Sequence, residues 1–136
     1  MNADVAQMNV PLTAEELNRL SGTVIGAAQK VSSTLGYGFL EKVYENALCL
    51  ELRKRGIEAF QQFPLQVRYN GVVVGDYIPD LIVEGSLIVE IKAVASIEKV
   101  HRQQCLNYLR ASNLRLGLLL NFAHAHLEIG RVVFRL

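Results

Sequence analysis

Three ionisable residues, Asp80, Glu90 and Lys92, interrupt two short apolar runs in residues 79–92, PDLIVEGSLIVEIK. The runs read as strands joined by a turn at Glu84, Gly85 and Ser86. Side chains alternate along a strand, so Glu90 and Lys92 share a face with Ile88, while Leu87, Val89, Ile91 and Ala93 take the other. A three-residue loop pairs Val83 with Leu87, Ile82 with Ile88 and Leu81 with Val89, and sets Asp80 opposite Glu90. Directly opposed residues hold their Cβ atoms about 5 Å apart, and two carboxylates that close repel unless a positive charge lies between them. A hard divalent cation such as Mg²⁺ or Mn²⁺, which prefers oxygen ligands, meets that need. Lys92 then lies one side chain along the same face, beside whatever the metal holds. Two other arrangements compete. A two-residue loop would send Asp80 and Glu90 to opposite faces, and an ordinary hairpin would keep its charges on a solvated face. The apolar neighbours Ile82 and Ile88 weigh against the second, because the charges would interrupt a covered surface.

The elements that must position these residues follow from periodicity and turn chemistry. Residues 1–12 read as a flexible N-terminal tail, and residues 13–136 as a single domain. Thr13-Ala14-Glu15-Glu16 has the capping-box form of a helix start, followed by Leu17, Leu20, Val24, Ala27 and Val31 at helical spacing up to about Gly36. A second helix is expected over residues 38–55, stopped by Gly56, with Leu40, Val43, Tyr44, Ala47 and Leu48 as its buried stripe. Glu41 sits on the edge of that stripe, half desolvated and in need of a partner. That partner is either a surface lysine, Lys42 or Lys30, or the metal site. Residues 63–69 and 72–83, joined by the hairpin turn Asn70-Gly71, form with residues 87–93 an antiparallel three-stranded meander, with Gly75 marking a bulge. A third helix over residues 97–111 puts Ile97, Val100, Gln104, Tyr108 and Ala111 on one stripe. Gln104 and Tyr108, one turn apart, either satisfy each other or reach a nucleotide or a catalytic lysine. Two more strands follow, over residues 116–122 and 127–134. His124 and His126 lack a third ligand in sequence and read as loop histidines.

Composition narrows the class. The chain has 136 residues, 51% hydrophobic and 20% charged, which fits a globular domain with a substantial core. No apolar run approaches a membrane span, and the first ten residues lack the form of a signal peptide. Cys49 and Cys105 are too few for a disulfide framework or a zinc site and read as reduced packing residues of a cytoplasmic protein. Charge is unevenly spread. Residues 1–91 hold seven Lys/Arg against eleven Asp/Glu, a net −4, and residues 92–136 hold seven against two, a net +5. A basic C-terminal third permits a polyanionic partner; solvated surface charge is the plainer account.

Pro79-Asp80, nine residues, then Glu90-Ile91-Lys92 resembles the signature of the PD-(D/E)XK nuclease superfamily. Glu41 matches the acid that family's first core helix often supplies, and Gln104 through Tyr108 matches the QxxxY helix motif of its RecB-like exonuclease branch. Gly38-Phe39-Leu40-Glu41-Lys42-Val43-Tyr44 is similar to the signature of the small GxxExxY protein family, a branch of the same superfamily. The resemblance implies an α/β (α+β) fold with a restriction-endonuclease-like core, its helices flanking a mixed sheet. It also implies a Mg²⁺- or Mn²⁺-dependent nuclease acting on nucleic acid, DNA before RNA, and leaving a 5′-phosphate and a 3′-hydroxyl. In the family's pattern Asp80, Glu90 and the backbone carbonyl of Ile91 hold the metal, and Glu41 holds a water or a second metal. Lys92 acts on the attacking water or the transition state; Gln104 and Tyr108 position the phosphate or Lys92. One such site cuts one strand, so double-strand cleavage requires a homodimer or two events. The alternative is a catalytically inactive module of the same fold that binds nucleic acid or a protein partner.

Overall fold

A computed structural model describes residues 11–136. The element order is α1 (Ala14–Leu35), α2 (Glu41–Lys54), β1 (Ala59–Gln61), β2 (Leu65–Tyr69), β3 (Val72–Tyr77), β4 (Leu81–Val83), β5 (Leu87–Lys92), α3 (Lys99–Ser112), β6 (Leu116–Asn121) and β7 (Glu128–Val133). Five strands form one mixed sheet in the order β1-β4-β5-β6-β7, and β2 and β3 pair by themselves. β5 and β6 are parallel, which requires a crossover; α3 is that crossover and is laid against one face of the sheet.

Each face of the sheet has its own core. Leu81, Val83, Leu87, Val89, Ile91, Leu116, Leu118 and Leu120 face α1 and α2, whose Leu17, Val24, Ala27, Leu48 and Leu52 close over them. Ile82 and Ile88 face the other way, against Leu65, Tyr108, Leu109 and Leu114. A central strand covered on both sides reads as a continuous apolar run, and every residue of β5 except half-buried Lys92 is buried. At Gly117 the approach of α3 is so close that an added Cβ would stand 2.4 Å from Cys105 Sγ.

The capping box at Thr13 and Glu16 forms as expected. Of the tail assigned to residues 1–12, residues 1–10 lie outside the described residues, and Leu12 packs against the larger core. Among the described residues no helix is long and apolar enough to cross a membrane. Both cysteines are free and buried.

Three expectations need correction. The long strand over residues 72–83 breaks at Ile78, Pro79 and Asp80, because proline has no N–H to give to a ladder. The antiparallel trio of the main sheet is therefore β1, β4 and β5, with the three-residue β1 as the outer member; the Asn70-Gly71 hairpin stands apart as a second sheet. The stripe of α2 is rotated: Tyr44, Glu45, Leu48, Cys49 and Leu52 are buried, whereas Leu40 is 81% and Val43 38% exposed. The stripe of α3 is rotated too, onto Cys105, Tyr108, Leu109 and Ser112, leaving Val100 and Gln104 exposed.

Candidate active site

The geometry starts from the turn. Glu84 and Gly85 adopt left-handed φ values of 53° and 60°, and Ser86 donates its N–H to the Val83 carbonyl at 3.0 Å. This makes the loop three residues long, and the strands pair Val83 with Leu87, Ile82 with Ile88 and Leu81 with Val89. Asp80 immediately precedes β4, and extending this register by one residue sets it opposite Glu90.

The two acids clasp each other's backbone. Asp80 donates its N–H to Glu90 Oε2 at 2.7 Å, and Ile91 donates its N–H to Asp80 Oδ2 at 2.7 Å. These bonds stand in for the ladder contacts missing at Pro79 and Asp80, just before β4. Extending the register sets Pro79 opposite Ile91, and a proline there cannot donate to the Ile91 carbonyl. Asp80 Oδ1 has only a 3.5 Å contact with Gln62 Nε2, and Glu90 Oε1 has no hydrogen-bond partner among the described residues.

Electrostatics at this point are unfavourable to negative charge. Glu90 is 4% exposed, and its pKa rises to about 8, first through burial and then through the Asp80 charge. Burial also raises Asp80, against the pull of the Ile91 N–H. Lys92 is half-buried, and its ammonium makes no hydrogen bond or ion pair among the described residues. Its positive charge favours the ionised form of both acids.

A further carboxylate was not singled out in the sequence. Glu45 on α2 is 3% exposed, and its charge raises the pKa of both Asp80 and Glu90. It is held by Lys42 at 3.1 Å, Gln61 at 2.8 Å and Gln62 at 3.1 and 3.2 Å. Gln62, at φ 57°, also donates its N–H to the Asp80 carbonyl at 3.0 Å. The available signal was an acid in register with Cys49 and Leu52. Glu41 instead accepts the Ala93 N–H at 3.0 Å, and Lys42 and Lys30 pair with Glu45 and Glu51. Glu41 lines a groove of about 630 Å³ with Gly38, Phe39, Lys42 and Ala93, one residue past Lys92.

From α3, Tyr108 is 7% exposed and meets Tyr77 edge to face at 5.4 Å. Burial and the charges of Glu90 and Asp80 push its phenol upward, so it keeps its proton. Gln104 is exposed and makes no hydrogen bond among the described residues. Cys105 is buried beside the site, its thiol pushed up to about 12 by burial and the Glu90 charge, which favours the protonated thiol. Asn121 was also missed. Fully buried, it brackets Val94 with bonds of 3.1 and 2.8 Å and reaches Glu128 at 2.9 Å, which fixes the segment leaving Lys92. His124 lies in a loop against the Ala95 carbonyl.

The donors suit one kind of cation. Among the described residues no three Asp, Glu, His or Cys come together to enclose a metal. Two carboxylates with free oxygens and a backbone carbonyl fit a hard cation that keeps several waters. The repulsion within the acid pair is what such a cation would relieve.

A sequence model of the PD-(D/E)XK nuclease superfamily matches residues 18–132. Among curated proteins none matches significantly. Two solved structures share the fold. The crystal structure of SSO0001 matches with a TM-score of 0.52 and 18% identity, over 70% of this chain and 50% of its own. An alkaline exonuclease, LHK-Exo from Laribacter hongkongensis, matches with a TM-score of 0.51 and 11% identity, over 97% of this chain and 75% of its own. The chain thus spans half of the first protein and three quarters of the second. With the family match running from α1 into β7, and with Asp80, Glu90 and Lys92 gathered at the paired ends of β4 and β5, the chain belongs to the PD-(D/E)XK nuclease superfamily.

Proposed function

We propose that this protein is a divalent-metal-dependent nuclease that hydrolyses phosphodiester bonds, with DNA as the preferred substrate, and that it belongs to the GxxExxY branch of its superfamily. The observation that carries the reading is the pair of buried Glu90 and half-buried Asp80, which opposes its own ionisation beside a lysine without an ion-pair partner among the described residues. The branch assignment rests on Gly38, Glu41 and Tyr44. Gly38 has φ 110°, which favours glycine. Tyr44 donates to the Gly36 carbonyl at 2.7 Å, accepts the Phe39 N–H at 3.2 Å and stacks on Phe122 at 4.6 Å, holding the loop that presents Glu41.

Asp80, Glu90 and the Ile91 carbonyl would hold Mg²⁺ or Mn²⁺, with Glu45 or Glu41 orienting a water on that ion. The bound ion supplies Lewis acidity, lowering the pKa of water and polarising a phosphoryl oxygen. Lys92, whose ammonium has no partner among the described residues, orients the attacking water and stabilises charge gathering on the phosphate oxygens. Tyr108 retains a proton to donate at the same face, and Gln104, exposed one turn earlier on α3, meets the substrate. Water adds to phosphorus as the 3′-oxygen leaves, giving a 5′-phosphate and a 3′-hydroxyl.

Support for a polyanionic substrate comes from α3. No acidic residue lies between Glu98 and Glu128, and Lys99, Arg102 and Arg131 line a shallow groove along the helix. The alkaline exonuclease with the same fold acts in the same sense. The test is incubation of pure protein with end-labelled single- and double-stranded DNA and RNA, with Mn²⁺ or with EDTA. Divalent-dependent cleavage is expected. Salt-sensitive binding without cleavage would replace this reading with that of a non-enzymatic binding module.

A further inference from the structure

We infer that the groove between the β2–β3 hairpin and α3 binds single-stranded nucleic acid, an unpaired base stacking on Tyr77 while phosphates meet Arg68 and Arg110. This deepens the nuclease reading, and rests on it only for where the strand is cut.

The groove has a volume of about 600 Å³ and is lined by Val67, Arg68, Tyr77, Asn107, Arg110 and Ala111, among others; among the described residues no acidic one lines it. Arg68 donates to the Gly71 carbonyl at 3.3 Å and to Gln66 Oε1 at 2.9 Å. Among the described residues Arg110 reaches only Asn107 Oδ1, at 3.4 Å. Neither forms an ion pair among the described residues. A guanidinium has five N–H donors, so each retains several for phosphate oxygens.

Tyr77 gives the groove its selectivity. It is 38% exposed, whereas Tyr108, 5.4 Å away at 90°, is 7% exposed. Tyr108 backs the ring and packs with Ile82 and Ile88 on the sheet face that carries the acid pair, so the groove opens on the same side as the acids. In a duplex the base faces are hidden in the stack. An exposed ring between two cations is therefore a surface for an unpaired base, recognised through its π-face and backbone rather than its sequence.

The test is fluorescence anisotropy in EDTA with a labelled oligo-dT, the matching oligo-rU and a blunt duplex of equal length. Cleavage with Mn²⁺ is measured on the same preparations. Wild type should bind the single strands more tightly than the duplex. Tyr77→Ala should weaken single-strand binding about tenfold or more, the scale of one base–aromatic stack, and Tyr77→Phe should restore it. Arg68→Gln with Arg110→Gln, at exposed positions, should weaken binding and flatten the salt dependence by about 1.4 in log–log slope. Thermal melting checks the fold of each variant. Equal affinity for duplex and single strand, or single-strand binding untouched by both the Tyr77→Ala and the double arginine change, overturns the inference. Loss of binding in both with no cleavage by wild type would leave the groove standing and sink the nuclease reading. Cleavage by wild type with groove variants that bind normally would do the reverse. Oligo-dT against oligo-rU separates DNA from RNA.

Discussion

Replacing Glu90 with Gln should make the metal-free protein more stable, and increasingly so as pH rises. Below about pH 4.5 Glu90 is protonated in both the folded and unfolded chain and contributes nothing to pH dependence. Between its unfolded value of 4.5 and its folded value of about 8, the unfolded chain gives up the proton while the folded chain keeps it. Over that window the folded state loses about 1.4 kcal/mol per pH unit, and above about 8 the loss levels off. By pH 7 this amounts to about 3 kcal/mol for an isolated group. Asp80 shares the burden as a coupled acid, so about 1–3 kcal/mol is expected. Gln is nearly isosteric, carries no charge, and its amide oxygen can still accept the Asp80 N–H. Melting followed by circular dichroism in EDTA should therefore place Glu90→Gln about 3–10 °C above wild type at pH 7 and level with it near pH 4. Saturating Mn²⁺ should raise wild type and leave the variant almost unmoved, since a ligand stabilises only a state that binds it. A constant deficit for Glu90→Gln at both pH values would refute the reasoning, because Glu90 would then be well solvated as a carboxylate.

Lys92→Ala and Asp80→Asn should fail differently: Lys92→Ala should lower the cleavage rate by about 10²-fold or more while Mn²⁺ affinity by calorimetry holds or tightens, and Asp80→Asn should lower both. Gly117→Ala should destabilise by about 1–3 kcal/mol in urea titration, because its Cβ meets Cys105 Sγ at 2.4 Å, and adding Cys105→Ala should recover part of the loss. Wild-type affinity for DNA should fall steeply from low to high salt, and Arg102→Gln should reduce the slope by about 0.7–0.9 as one phosphate contact is lost.

The hairpin carrying Asp80, Glu90 and Lys92 was legible because its logic is local. One glycine-containing turn and strict alternation along β5 determine the face of every side chain, and the register follows. The helices were less legible because an amphipathic stripe has soft edges. On α2, Leu40 and Val43 compete with Cys49 and Leu52 for the same period, and only the position of the sheet decides between them. That quarter-turn hid Glu45, and it hid Gln62, whose role comes from a left-handed backbone and a partner on another element. Asn121 was hidden for another reason: at the end of a leucine-rich strand, nothing local distinguishes a frayed terminus from a buried amide bracketing Val94.

The crossed bonds between Asp80 and Glu90 give the site two internal reporters. The Asp80 and Ile91 amide protons point at the two carboxylates whose protonation and occupancy matter most. Their resonances in a nitrogen–proton correlation spectrum would move when Glu90 titrates, and would move differently when a cation takes the free oxygens. A change in either signal is thus visible without substrate, and a paramagnetic ion such as Mn²⁺ would broaden these two amides among the first in the chain. The chemistry of the site can be followed from its own backbone before any phosphodiester bond is offered to it.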